Sequence, residues 1–241
     1  MAILVGIDGT GSAFTPGSGR DKEYDVSFAN SFVKRICNAG GPDAMYQRGP
    51  VALGGGMLEA IGAGVNHVVS RINTYTKKYP PQAAPPVILT GYSRGGLGAV
   101  VVAKRLKDLK INVQALLLFD CVDRHVAFDA EVVPDNVANV YHVIRDPATS
   151  SRESFGNDAM KYYPKTTKYQ GPYMFMCTHG GMGGCPWPVE AGKKATDLIN
   201  EGWGAGGYDG ATTVSYEKDA MVSAQVWANV QPFIRTFGFM R

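Results

Sequence analysis

The sequence has no apolar run that approaches the roughly 18 residues needed to cross a lipid bilayer. Its start, MAILVGIDGTG, also lacks the basic segment with which a signal peptide begins. These two absences predict a protein that is cytoplasmic as synthesised, with secretion by a signal-independent route as the alternative.

A strong charge of one sign is also absent. The formal net charge is only +3 and no block of basic residues is present, so nucleic acid is not an expected partner. The four cysteines, at 37, 121, 177 and 185, lack the close pairs of a zinc site. A Cys177–Cys185 disulfide would require an oxidising compartment, and free thiols are favoured. We expect neither a metal ion nor an organic cofactor.

Short apolar runs alternate with helical patterns along the chain. Nearly continuous apolar runs at 2–8, 86–92, 113–119, 139–145 and 173–178 predict buried strands of a parallel sheet, and 44–49 is a weaker edge candidate. Apolar residues recur at helical spacing over 58–75, 97–106 and 221–237. The pattern predicts a doubly wound, mostly parallel sheet with helices on both faces, in a single domain over 1–241. The irregular stretches 11–30 and 147–170 predict functional or mobile loops.

A serine lies at the junction of one strand and one helix. GYSRG (91–95) matches G-x-S-x-G and has the strand before and the helix after that the motif requires. Such a turn lifts the hydroxyl of Ser93 above the sheet and directs a helix N-terminus at the reaction centre. The sequence therefore predicts Ser93 as a nucleophile rather than a capping residue.

A serine hydroxyl needs a base to take its proton, and four histidines are candidates. His67 lies on the polar side of a predicted helix, and His125 and His142 fit structural roles better. His179 directly follows the last apolar run, at the carboxyl edge of the sheet where Ser93 is also expected. We therefore predict His179 as the general base.

The imidazole in turn needs a carboxylate. Asp120 and Asp146 both end predicted strands at this edge. Asp146 is favoured because it gives the order Ser93, Asp146, His179, which is the order expected of α/β-hydrolases. Asp120 is the alternative acid.

Two N–H groups are expected to stabilise a tetrahedral oxyanion. One is the backbone N–H of Arg94, and the loop GIDGTG (6–11) offers the other at Gly9 or Thr10. A phosphate loop is disfavoured, because no lysine follows and the G-x-G-x-x-G order is missing.

These motifs together resemble the α/β-hydrolase family of uncharacterised bacterial and fungal proteins that includes the catalytic domains of type VI secretion phospholipase effectors. IDGTG is similar to the family's D-G-T, GYSRGG to its G-F-S-R-G-A, and CTHGGMGG to its V-H-S-D-V-G-G. YHVIRDPATSSRESF resembles a loosened form of its H-A-x-x-x-D-E-R-R-x-x-F, which maps the acid onto Asp146. The chain departs from the family at Pro147, where the family has a glutamate. It also departs at Gly180 and Gly181, which replace the segment with the aspartate that follows the family's histidine.

The resemblance implies hydrolysis of carboxylic esters, including phospholipids, and an immunity or secretion partner if the chain is an effector. Residues 160–173 interleave aromatic residues with lysines, which suits either a peripheral membrane contact or a solvated loop. Two alternatives stay open: a small-molecule esterase or thioesterase, and a binding module that keeps the fold without turnover.

Overall fold

A central sheet of six parallel strands organises the chain. In the computed structural model the residues described are 2–12, 19–80, 84–122, 128–204, 207–208 and 210–240. The strands are β1 (Ile3–Ile7), β2 (Ala44–Gln47), β3 (Val87–Tyr92), β4 (Ala115–Phe119), β5 (Asn139–Arg145) and β6 (Lys168–Phe175). Their order across the sheet is β2-β1-β3-β4-β5-β6, and every neighbouring pair is parallel.

Helices and short strands complete the described elements. The helices are α1 (Asp21–Ser27), α2 (Phe32–Ala39), α3 (Met57–Lys78), α4 (Arg94–Asp108), α5 (His179–Met182) and α6 (Tyr216–Phe237). Two 3₁₀ turns, Pro147–Thr149 and Glu153–Phe155, follow β5. Near the C-terminus β7 (Leu198–Asn200) pairs antiparallel with β10 (Ala211–Ser215), and β8 (Trp203–Gly204) pairs antiparallel with β9 (Gly207–Tyr208).

Alternate residues of the central strands enter two separate cores. Ile3, Val5 and Ile7 of β1 pack with α3 and α4 in one core. Leu4 of the same strand packs in the other core, which includes α2 and α6. Because helices cover both faces, every residue of β1, β3 and β4 is buried, and the strands are nearly continuous apolar runs rather than alternating.

The predicted fold class is confirmed. The sheet is doubly wound, with the strand order reversing between β1 and β3, and the arrangement is of the α/β-hydrolase type. The loops that follow β1 and β3 therefore diverge at the carboxyl edge, and this is where open sheets of this kind form ligand sites. The candidate strand at 44–49 is the edge strand β2, as predicted.

Three local expectations need correction. The run 173–178 is not a buried strand: β6 begins at Lys168, ends at Phe175 and is largely exposed as the other edge strand. The stretch 11–30 contains the helix α1, and the helix α2 that follows has no counterpart among the predicted elements. The stretch 147–170 contains both 3₁₀ turns.

The sequence predicts that no segment spans a membrane, and the structure tests this prediction for helices. Within the described ranges, none of the helices combines the length and the apolar character required to cross a bilayer.

Candidate active site

Ser93 lies on a strained turn between β3 and α4. Its φ is 55°, a left-handed conformation that costs a non-glycine residue roughly 1–3 kcal/mol. The two flanking glycines of the motif are required by space. A Cβ on Gly91 would meet the carbonyl oxygen of Gly95, and a Cβ on Gly95 would meet the carbonyl oxygens of Ile7 and Asp8. The motif glycines thus let β3, α4 and the end of β1 meet around Ser93.

The side chain of His179 lies against the Ser93 hydroxyl. The Nε2 atom of His179 is 2.9 Å from Ser93 Oγ, and both residues are buried. His179 opens the short helix α5, which three residues separate from the end of β6, at the carboxyl edge of the sheet. The structure therefore brings together the two residues that the sequence predicted as nucleophile and base.

The carboxylate beside His179 belongs to Asp120, and the prediction of Asp146 in this position is wrong. Asp120 follows β4, and its Oδ2 atom lies 2.6 Å from Nδ1 of His179. The Asp146 carboxylate instead accepts a hydrogen bond of 2.9 Å from the N–H of Ala148 and caps a 3₁₀ turn. Asp followed by Pro is typical of such a turn start, because proline fits the first helical position. The alternative acid, Asp120, is the one that the geometry supports.

Asp120 is fully buried and is held by several donors. Its Oδ2 accepts a second bond, of 2.7 Å, from Nη1 of Arg145, while Oδ1 accepts bonds from the Arg145 N–H and from Nδ2 of Asn157. Burial by itself would raise the pKa of Asp120. The positive charge of Arg145 and the hydrogen bonds from His179 and Asn157 outweigh burial, and the pKa falls well below its ordinary value. The carboxylate is therefore ionised.

The environment of His179 favours the neutral imidazole. Burial lowers its pKa below the ordinary value, the bond and charge of Asp120 oppose this, and the charge of Arg145 adds to the lowering. The rings of Tyr92 and Phe155 lie 5.0 and 5.2 Å from the imidazole, the latter edge-on. In the neutral form Nδ1–H donates to Asp120, which leaves Nε2 to accept the Ser93 proton.

The backbone around His179 is held by buried polar residues that no sequence pattern predicts. The N–H of His179 donates to Ser151 Oγ at 2.8 Å, and that hydroxyl donates to the buried carboxylate of Glu201. The hydroxyl of Tyr92 donates to the His179 carbonyl at 2.8 Å. On the other side Asp219, in the first turn of α6, accepts bonds from Thr178. No motif marks these residues, because each acts through a contact distant in sequence.

The loop after β1 reaches the opposite side of Ser93. The N–H of Gly9 donates to the carboxylate of Asp8 at 2.9 Å, so it is engaged in this structure and the prediction that it holds an oxyanion is not supported. The guanidinium of Arg94 donates to Thr10 Oγ1 and to the Ala52 carbonyl, each at 2.8 Å. Thr10 is therefore tied to the residue that follows Ser93, and the N–H groups of Thr10 and Arg94 stay the predicted oxyanion donors.

The remaining histidines have structural contacts where they are described. His142 is buried, its Nδ1 lies 2.9 Å from the hydroxyl of Tyr169, and burial lowers its pKa to about 4. His67 Nε2 lies 3.0 Å from the carbonyl oxygen of Asp43. His125 falls outside the described residues.

Cysteines and acidic residues offer no second centre in the described ranges. All four cysteines are free thiols, as favoured from the sequence. Within the part of the chain that the structure describes, His, Cys, Asp and Glu form no group of three that could hold a metal ion.

Comparison with known proteins adds the following. No family model matches the sequence, and no curated protein does. Among solved structures, the chain is similar to the Tle1 effector bound to the VgrG spike of the type 6 secretion system, with a TM-score of 0.48 and 14% identity over 78% of this chain and 52% of that one. The chain thus spans about half the length of that protein.

Two further solved structures are similar over different shares of the chain. An acetyl xylan esterase has a TM-score of 0.34 and 12% identity, over 97% of this chain and 98% of that one. A protein of Xanthomonas campestris pv. campestris assigned to the α/β hydrolase superfamily has a TM-score of 0.30 and 20% identity, over 59% and 72%. At these levels the likenesses carry no argument about activity.

Proposed function

We propose that the protein is a serine hydrolase that cleaves carboxylic esters through an acyl-enzyme, with Ser93 as nucleophile, His179 as base and Asp120 as acid. The observation that carries the proposal is the unbroken line of hydrogen bonds from Ser93 Oγ through the imidazole to the Asp120 carboxylate, at 2.9 and 2.6 Å. A capping serine would have no need of a buried histidine and a buried carboxylate in series.

In the proposed reaction, Nε2 of His179 takes the Ser93 proton as Oγ attacks the ester carbonyl. The imidazolium that forms is stabilised by Asp120 through the Nδ1–H bond and then gives its proton to the leaving alcohol. Water repeats the sequence on the acyl-enzyme, with His179 again as the base, and releases the carboxylic acid and free Ser93. No step calls for a metal or an organic cofactor.

The negative charge of the tetrahedral intermediate develops beside the start of α4. Support for an oxyanion site here comes from the position of Arg94 at the first turn of this helix, where backbone N–H groups and the helix dipole favour an anion. The tie between the Arg94 guanidinium and Thr10 Oγ1 brings the loop after β1 to the same place.

A fluorophosphonate probe tests the nucleophile. We expect stoichiometric labelling of the wild type, loss of labelling in Ser93→Ala, and wild-type labelling in the matched control Ser70→Ala, whose serine is exposed on α3. Well-folded wild-type protein that takes up no label would favour the non-catalytic binding module instead.

A phospholipid substrate is the narrower form of the proposal. It is supported by exposed apolar and aromatic side chains on and before β6, the strand that leads to His179: Met160, Tyr163, Tyr173 and Met174. Lys161 and Lys168 lie among them and are also exposed, a combination suited to an anionic membrane surface. An immunity or secretion partner stays a prediction from the sequence resemblance.

Rates on two substrate forms separate the narrower proposal from its rival. A lipase should hydrolyse phospholipid vesicles faster than monomeric short-chain nitrophenyl esters, and Met174→Glu should lower the vesicle rate alone. Preference for the monomeric esters would reject the phospholipase and favour a small-molecule esterase or thioesterase.

A further inference from the structure

Arg145 makes a contact that the proposed reaction does not require. Its Nη1 atom and Nδ1 of His179 bind the same oxygen of Asp120, at 2.7 and 2.6 Å. Building on the proposed function, we propose that Arg145 is a positioning residue of the hydrolytic site, which shares the Asp120 carboxylate with His179 and thereby keeps the imidazole in its proton-accepting form at lower pH.

The guanidinium is held in one orientation by its other donors. Nε donates to the carbonyl of Ser151 at 2.7 Å, and Nη2 donates to the carbonyls of Arg152 and Gly156 at 3.0 and 3.2 Å. Ser150, Arg152 and Gly156 all have positive φ, and they lie in the same short loop that supplies these three carbonyl oxygens. Two non-glycine residues, Ser150 and Arg152, thus have a strained backbone in the loop that surrounds the guanidinium.

The same loop touches His179. Ser151 Oγ accepts the N–H of His179, and the ring of Phe155 lies edge-on to the imidazole. Arg145 therefore binds both Asp120 and the loop whose residues contact His179. Both the Asp120 and the Arg145 side chains are buried, so their charges are little screened by water.

The contact between Arg145 and Asp120 affects the protonation of His179 through the balance of charge around the imidazole. With neutral His179, the negative charge of Asp120 is already balanced by Arg145, and a proton on the imidazole leaves an excess positive charge. Among the residues that the structure describes, the charged groups that act on His179 are Asp120 and Arg145, and Glu201 more weakly. Arg145 thus opposes protonation of His179, in the same direction as burial, which lowers its pKa.

Without Arg145, a protonated His179 would be the cation in direct contact with the buried carboxylate within the described part of the chain. The Asp120–His179 pair would then hold its additional proton up to a higher pH than in the wild type. This holds whether the proton is on the carboxylate or on the imidazole. Since the reaction begins with unprotonated His179, the acid limb of the pH–rate profile would move to higher pH.

The first test is the pH dependence of kcat/KM in Arg145→Gln. Relative to the wild type, we expect the ratio of kcat/KM at pH 5 to that at pH 8 to fall about tenfold or more, since removal of a cation this close to a titrating pair shifts it by roughly one unit or more. Arg145→Lys keeps the charge and should restore the ratio to within about threefold of the wild type.

Asn157→Ala is the matched control, because it removes a neutral donor to the same carboxylate. We expect it to change the ratio far less than Arg145→Gln does. A fall in kcat/KM for Arg145→Gln that is equal at all pH values would overturn the proposal, since that result is what a purely structural role predicts.

A titration of the imidazole by NMR tests the inference without any substrate. The four histidines of the chain can be assigned by substitution, and His179 of the wild type should titrate below the ordinary histidine value of 6.5. Titration at or above that value overturns the role of Arg145 even if Ser93 hydrolyses esters. Conversely, a low value that rises in Arg145→Gln supports it even if no ester is hydrolysed.

Discussion

Thr178 donates both its backbone N–H and its hydroxyl to the carboxylate of Asp219, at 2.7 and 3.0 Å. Asp219 is fully buried in the first turn of α6 and also accepts the N–H of Trp187. The residue immediately before His179 is therefore held by a residue of α6 that lies 41 positions away in sequence. In this way α6 serves both the core and the position of the proposed base.

Asp219→Ala should weaken both stability and activity. The change leaves two buried donors of Thr178 and the half-buried N–H of Trp187 without an acceptor, so we expect the free energy of unfolding to fall by about 3 kcal/mol and kcat by at least about tenfold. Urea unfolding and ester hydrolysis measure the two effects. Glu217→Ala, on the same helical turn but exposed, should change the stability by no more than about 0.5 kcal/mol. Equal effects of the two variants would contradict the anchoring role.

The two aspartates at neighbouring strand ends should differ sharply in kinetics. Asp120→Asn is expected to lower kcat by roughly 10³ to 10⁴, because the amide cannot stabilise the imidazolium or fix its tautomer. Asp146→Asn should stay within a few-fold of the wild type, since asparagine also caps a turn. The measurement is kcat on a short-chain ester for both variants at equal folded concentration. A silent Asp120→Asn beside an inactive Asp146→Asn would restore the acid expected from the sequence.

Much of the fold could be predicted because local patterns determine it. Runs such as 86–92 and 113–119 are apolar on both faces, and the cores on either side of the sheet explain why. The G-x-S-x-G turn can be recognised in the sequence itself. Its glycines, Gly91 and Gly95, are needed because neighbouring backbone lies too close to leave room for a side chain. Local sequence patterns therefore suffice to predict Ser93 and His179.

The choice of acid was not accessible in this way. Asp120 and Asp146 both follow buried parallel strands, and chain order favours the later one. The deciding facts are three-dimensional: Asp146 turns back onto Ala148, and Arg145 at the end of β5 points to Asp120. The roles of Ser151 and Glu201 depend on loop contacts between segments 50 residues apart, which no local pattern encodes.

Substitution of Gly95 should destabilise the protein because a side chain at this position would clash with the backbone. Gly95→Ala would place a methyl group against the backbone carbonyls of Ile7 and Asp8, and we expect a loss of at least about 3 kcal/mol in the free energy of unfolding. Gly62, within α3, has open space around its Cβ position, and Gly62→Ala should stabilise the protein by roughly 0.5–1 kcal/mol. Thermal or urea unfolding of the two variants checks the opposite signs, and destabilisation by both would argue against a steric cause.

The buried Asp8 should make stability depend on pH. Burial raises its pKa from 3.8 to about 6, against the opposing hydrogen bonds from Ser31, Gly9 and Tyr46. Between about pH 4 and pH 6 the folded protein therefore holds a proton that the unfolded chain has already released. Because the folded state binds more protons in this window, its stability falls as the pH rises, by about 3 kcal/mol for a shift of about two units.

Asp8→Asn removes the pH-dependent contribution of Asp8 to stability, so a comparison with the wild type measures that contribution. The buried His142, whose pKa is lowered to about 4, acts in the opposite direction over much of the same window, and it is common to both proteins. We therefore expect the difference in unfolding free energy, Asp8→Asn minus wild type, to grow by about 3 kcal/mol between pH 4 and pH 7 in urea titrations. A difference that stays constant over this range would mean that Asp8 is ionised in the folded protein throughout, and that its hydrogen bonds outweigh burial.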